Sequence, residues 1–192
     1  MLPQEKRIQS KEDLNRFLNI ELKKYGKKLK SGVQLHLREI DILAHHNILL
    51  RTCEYHVNMG HKFRGVWYKI RLRRLQNKYG LHIPINCCDE GLKIMHVGPV
   101  LMNGNVCVGK DCSIHINTGL VAGGVSSDSP ILGDGVVVGI GAVVVGGVRI
   151  ANNVAIGANA VVTKNVDDEN VAVAGVPAKI VSSNGGLNWN KK

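Results

Sequence analysis

Imidazole is the side chain that changes charge near neutral pH, so the eight histidines carry the first candidates for proton transfer in this chain. His96, in GLKIMHVG (91–98), stands where an otherwise regular sequence pattern breaks. A neutral imidazole at such a point can take the proton of an attacking hydroxyl. Other constellations carry less chemistry. His45 and His46 are adjacent, and neighbours on a helix point about 100° apart, so they cannot share one metal and read as packed or exposed side chains. Cys53, Cys87, Cys88, Cys107 and Cys112 are odd in number and form no CxxC. The adjacent Cys87–Cys88 pair suits neither a zinc knuckle nor a disulfide framework, so the thiols read as reduced and mostly buried. GxxxxGK[ST] is absent, and glycine runs such as VGGVRI (145–150) are no phosphate loop. No metal is expected.

The elements that must position His96 fall into two unlike parts. Residues 1–80 hold 18 Lys and Arg against 7 Asp and Glu, while 81–192 hold 7 against 8. Glycine runs the other way, with 5 before the break and 17 after it. The opposed shifts place a boundary near Tyr79–Gly80, with Pro84 just beyond to stop a helix. The expected units are a helical, basic domain over 1–80, a second domain over 81–182 and a tail over 183–192. In the first, Leu14, Phe17, Leu18, Leu22 and Tyr25 follow helical spacing after a Ser10/Asp13 capping pattern, and Gly26 ends the run. Residues 34–58 predict a second helix through Leu37, Ile40, Leu43 and Leu49, and residues 63–78 a third. A basic half suits nucleic acid or an anionic membrane surface. KIRLRRLQNKYG (69–80) reads equally as an amphipathic helix with a solvated basic face, and no nucleic-acid partner is expected.

After the boundary a period of six takes over. Leu132, Val138, Val144, Ile150, Ile156 and Val162 are all aliphatic, and small or β-branched residues fill the positions one and four after each. The register runs back through Leu120, Ile114, Val108 and Met102, lapsing at Ser126, and then through a step of eight to Ile94 and six to Cys88. Neither a strand nor an amphipathic helix sustains such a period. It predicts a triangular coil of three short strands, with each aliphatic inside and small residues at the corners. That core also accounts for an aromatic content of only 4% beside 44% hydrophobic residues. Two breaks interrupt it: the eight-residue step, which contains His96, and the polar loop GGVSSDSP (123–130). No apolar run reaches 18 residues, and MLPQEKRIQSKEDLNRF has no apolar signal core, so a cytoplasmic chain without a membrane span is expected.

GLKIMHVG (91–98), VGKDCSIH (108–115), IGANAVVTKNV (156–166) and GVPAKIV (175–181) resemble the serine acetyltransferase-like hexapeptide-repeat acyltransferases, over residues 79–182. LRTCEYHVNMG (50–60), followed by a basic helix, is similar to the short versions from capsule and surface-polysaccharide biosynthesis. The resemblance implies a mostly β fold with an α N-terminal part: a left-handed parallel β-helix behind a small helical domain, assembled as a homotrimer with active sites between subunits. It implies acetyl-CoA as donor and His96 as catalytic base for attack of a hydroxyl on the thioester. It further implies a cofactor groove lined by Gly139, Gly141, Gly157 and Ala158, with Lys164 and Lys179 for the phosphates and Val171–Pro177 closing over it. His115 and Asn117 are implied substrate contacts. A carbonic anhydrase of this fold needs three zinc histidines, whereas the coil after His96 offers only His115.

The departures bear on the acceptor. Met95 stands where the family has an aspartate before the histidine, Leu81 where it has another, and GGVSSDSP lacks the family's arginine–histidine pair. The orienter of His96 then falls to Asp89, Glu90 or a backbone carbonyl. A sugar hydroxyl, of a capsular or surface polysaccharide or its precursor, is expected ahead of free serine. Serine O-acetylation is the alternative, against which the tail GGLNWNKK lacks a terminal isoleucine. A non-catalytic repeat scaffold is the third reading.

Overall fold

A computed structural model describes residues 1–28, 38–124 and 127–189. Three long helices precede the coil: α1 (Lys11–Lys24), α2 (Glu39–Asn58) and α3 (Lys62–Tyr79). The Ser10 side chain accepts the Asp13 N–H and caps α1, as the sequence pattern predicts, and Gly80 ends α3 in the left-handed conformation at φ 74°. The expected start of α2 at 34–37, Leu37 included, lies outside the described residues, as do Val125 and Ser126 of the polar loop. A short helix, α4 (Gly186–Trp189), lies in the tail.

Beyond Gly80 the chain winds into a three-faced coil. One face stacks β1 (Leu81–His82), β3 (Val100–Met102), β6 (Thr118–Val121), β9 (Val143–Val145) and β12 (Val161–Val162). A second stacks β4 (Cys107–Val108), β7 (Ile131–Leu132) and β10 (Arg149–Ile150). The third, which carries the site, stacks β2 (Lys93–Ile94), β5 (Ser113–Ile114), β8 (Val137–Val138), β11 (Ala155–Ile156) and β13 (Ala172–Ala174). These pairings are parallel, and among the described residues only β14 (Lys179–Ser182) returns antiparallel, against β13. The sixfold aliphatics form the core, for Leu132, Val138, Val144, Ile150, Ile156 and Val162 are all buried. Ile94, Ile114, Val138, Ile156 and Val173 stand in register on the third face.

The corners are set by residues with positive φ. Asp111, Asn117, Asn153 and Asn159 adopt it, as do Gly91, Gly135 and Gly141. All stand three positions after an inward-facing residue, a Gly/Asn/Asp column that recurs through the repeat.

The helices cap the open edge of the first coil, whose backbone groups would otherwise lack partners. Tyr25 Oη donates to Ile94 O at 3.1 Å and accepts the Ile94 N–H at 2.8 Å. Asn47 donates to Leu92 O, and Gln76 donates to Ile83 O. Fully buried Arg51 donates to Cys88 O, Asp89 O and the carboxylates of Glu21 and Glu54. Of the two adjacent histidines, His46 is buried against Asn47 and Gln76, and desolvation pushes its pKa down to about 4, so it is neutral in the core.

Candidate active site

The third face ends at one corner, where β2 runs into Met95 and His96 and β5 runs into His115. Because Ile94 pairs with Ile114, the two imidazoles lie one coil apart, with ring centroids 6.3 Å from each other. The His96 side chain is 56% exposed, so its ring is open to an incoming molecule. His115 is half-buried. Burial, aided by the charges of His96 and Lys93, holds its pKa below the usual imidazole value.

A carboxylate that sequence reasoning did not find braces His96. Glu39 is the first residue of α2; its Oε1 accepts the Val97 N–H at 2.7 Å, and its Oε2 lies 3.4 Å from His96 Nδ1. A carboxylate can only accept, so in the neutral ring this contact favours the tautomer with its proton on Nδ1 and the lone pair on Nε2, open to a substrate. The Val97 N–H, and then His96 itself, hold the Glu39 carboxyl below its ordinary range. The N-terminal end of α2 adds to the same preference for negative charge.

Beneath His115 the corner is stripped of side chains. The residues that follow the aligned inward positions are His115, Gly139, Gly157 and Ala174. The smallness of the last three leaves a largely apolar cavity of about 240 Å³, bounded also by Ile140, Ala158, Val181 and Asn184. At Gly139 a Cβ would meet Ile156 O at 2.6 Å, so no larger residue fits without moving the coil below. Two imidazoles at the head of an apolar trench can hold a polar reacting centre above an extended, weakly polar arm.

The other expected site residues lie elsewhere. Asp89 is buried with Oδ1 on the Glu90 N–H, and Glu90 is held by Arg16 and Lys110. Neither contacts His96: they sit on the preceding corner of the coil, and successive corners belong to different edges of the prism. Gly141 is a turn residue whose Cβ would meet Asn159 Oδ1, and Asn117 is a turn residue in the same stack, its N–H bonded to Pro99 O. Lys164 and Lys179 border a separate cleft of about 410 Å³ together with Asp167 and Asp168. Val171–Pro177 does not strap over the groove, because Ala172–Ala174 is itself a strand of the third face. Val181 and Asn184, on and just after the returning β14, form the far wall instead. Among the described residues no group of three or more His, Cys, Asp or Glu is placed to hold a metal.

Residues 129–164 match the family model described as bacterial transferase hexapeptide (six repeats). The whole architecture, helices included, is similar to serine acetyltransferases of known structure. The enzyme from Brucella abortus strain S19 in complex with coenzyme A is 21% identical with a TM-score of 0.65, over 91% of this chain and 70% of that one. The enzyme from Neisseria gonorrhoeae in complex with serine is 23% identical with a TM-score of 0.65, over 90% of this chain and 71% of that one. At this identity the likeness speaks for the fold. No curated protein sequence matches the chain significantly.

Proposed function

We propose that this chain is an acetyl-CoA-dependent O-acetyltransferase with His96 as general base. The observation that carries the reading is the column of His115, Gly139, Gly157 and Ala174 below an exposed, carboxylate-braced His96. The trench would take the pantetheine arm, with Gly139, Gly157 and Ala158 along it, and His115 beside the thioester. His96 Nε2 takes the acceptor's hydroxyl proton as the oxygen attacks the carbonyl. The tetrahedral intermediate then expels the CoA thiolate, and the imidazolium returns the proton to sulfur, so one ester and one thiol replace one hydroxyl and one thioester. Glu39 holds the ring in the reactive tautomer and stabilises the imidazolium between the two transfers. The left hand of the coil, a trimer with this corner facing a neighbouring subunit, and a cytoplasmic setting for its five free thiols belong to the same proposal.

Two acceptors come into question. Structural likeness favours the hydroxyl of L-serine, since the similar proteins are serine acetyltransferases and one holds serine. A sugar hydroxyl is favoured by the site itself, because Leu81 is fully buried and half-buried Met95 offers no charge to an amino acid's ends. Thiol release from acetyl-CoA, assayed with L-serine and with a panel of sugars and oligosaccharides, decides between them. Release with neither, and no binding of acetyl-CoA, would leave the scaffold reading.

Two variants test the geometry. Glu39→Gln keeps the size of the side chain but presents an amide to Nδ1; turnover should fall roughly 10–100-fold, the usual scale for a positioning partner, with KM for acetyl-CoA unchanged. Ala158 is exposed in the groove wall. Ala158→Leu should therefore raise KM for acetyl-CoA by about tenfold, the scale for obstructing a fitted apolar contact, while melting at the wild-type temperature.

A further inference from the structure

Helix α3, KFRGVWYKIRLRRLQNKY, contains no acidic residue. Its inner face, through Gly65, Leu72 and Gln76, is buried. The N-terminal half of its outer face is apolar as well: Phe63 is 93% exposed, Val66 58%, Trp67 52% and Ile70 50%, and beyond them exposed Arg74 and Asn77 continue the same face. At about 100° per residue the four apolar side chains fall within an arc of roughly 100°. Lys62, Lys69 and Arg73 flank that arc on one side, and Arg64, Arg71 and Lys78 on the other, all of them exposed. The Arg71 guanidinium lies 4.6 Å from the Trp67 ring centroid, its charge kept at the border of the apolar stripe.

We infer that α3 is a membrane-surface anchor, lying in the plane of an anionic bilayer with Phe63, Val66, Trp67 and Ile70 among the acyl chains and the flanking cations on lipid phosphates. An apolar stripe between two cationic borders matches such an interface, where long basic side chains reach outward to headgroups. A second copy of the chain is a poor occupant, since docking stripe to stripe would bring together the cationic borders of two helices that carry no acidic residue to pair with them. A soluble polyanion would use the cations and leave the apolar residues without a role. The anchor is distinct from a span: among the described residues no helix is long and apolar enough to cross a membrane. It is also independent of the reaction at His96.

The test uses the full chain and sedimentation with vesicles of phosphatidylcholine alone or with 30% phosphatidylglycerol, in ~0.15 M salt. Binding is expected to the anionic vesicles, with at least ~5-fold loss in Phe63→Ser/Ile70→Ser and in Arg71→Gln/Arg73→Gln. In a Trp189→Phe background, Trp67 emission should shift to the blue on binding. Acetyl transfer to a soluble acceptor should be the same in both double variants, which also reports that they fold. Absence of binding to anionic vesicles overturns the inference. So does binding that the apolar variant retains in full, which would mark a polyanion surface, or self-association in sedimentation velocity that this variant abolishes, which would mark a second copy.

Discussion

His96→Ala is expected to lower acetyl transfer at least ~10²-fold, the scale of a general base, with KM for acetyl-CoA little changed. The separation of the two parameters follows from the architecture. The trench below His115 is built from Gly139, Gly157, Ala158 and Ala174, none of which depends on the imidazole. The ring is exposed and holds up no part of the core, so the variant should unfold at the wild-type temperature. Glu39→Gln should lose less than His96→Ala, and the double variant no more than His96→Ala alone, because Glu39 acts only through the ring. A double variant markedly slower than His96→Ala would show that Glu39 touches the acceptor directly. Full turnover in His96→Ala would remove the mechanism and leave His115, whose pKa burial lowers, as the remaining imidazole at this corner.

The parts of this site differ in how far sequence discloses them. The inward aliphatics of the coil were legible because each has one fate, burial, and repeats it at every sixth place from Leu132 to Val162. His96 drew notice in the sequence because an interrupted repeat marks where the chain leaves the ladder. The trench followed in part: Gly139, Gly157 and Ala158 line it, whereas Gly141 is spent on a turn with φ of 71°. The i+3 column of Gly, Asn and Asp would have separated these two kinds of small residue. Glu39 was out of reach. It lies 57 residues from His96, and the contact arises only because α2 begins where the capped edge of the first coil ends. Asp89 and Glu90 were attractive as orienters for being close in the chain, but in a coil with three corners a few residues lead to a different edge.

Arg51→Met is expected to destabilise the fold by about 3–5 kcal/mol, the scale for breaking a buried ion pair from one side, and to lower the melting temperature by about 6–20 °C for a chain of this size. Arg51 and Glu21 are both fully buried, with the guanidinium 2.6 Å from the carboxylate. Methionine fills much of the volume but leaves Glu21 with no counter-charge, and leaves Cys88 O and Asp89 O without their donors. The sign of the pH dependence identifies the cause. Desolvation already raises the Glu21 pKa, opposed by Arg51; without Arg51 it rises further. A carboxyl whose folded pKa lies above its unfolded value stabilises most at low pH and loses that contribution as the pH rises through the folded pKa. The deficit of Arg51→Met, measured by urea unfolding, should therefore be smallest near the unfolded glutamate pKa and grow towards neutrality. Glu21→Gln added to Arg51→Met should flatten that slope and recover part of the loss, since a neutral amide can still accept the Leu92 N–H that Glu21 now holds at 3.2 Å. A deficit constant with pH would instead make lost packing the dominant effect. The network joins α1 and α2 to the stretch from Cys88 to Leu92, just before the turn into His96. Loosening it should therefore reduce turnover below the melting transition as well, by letting the first coil and the N-terminus of α2 part, and with them His96 and Glu39.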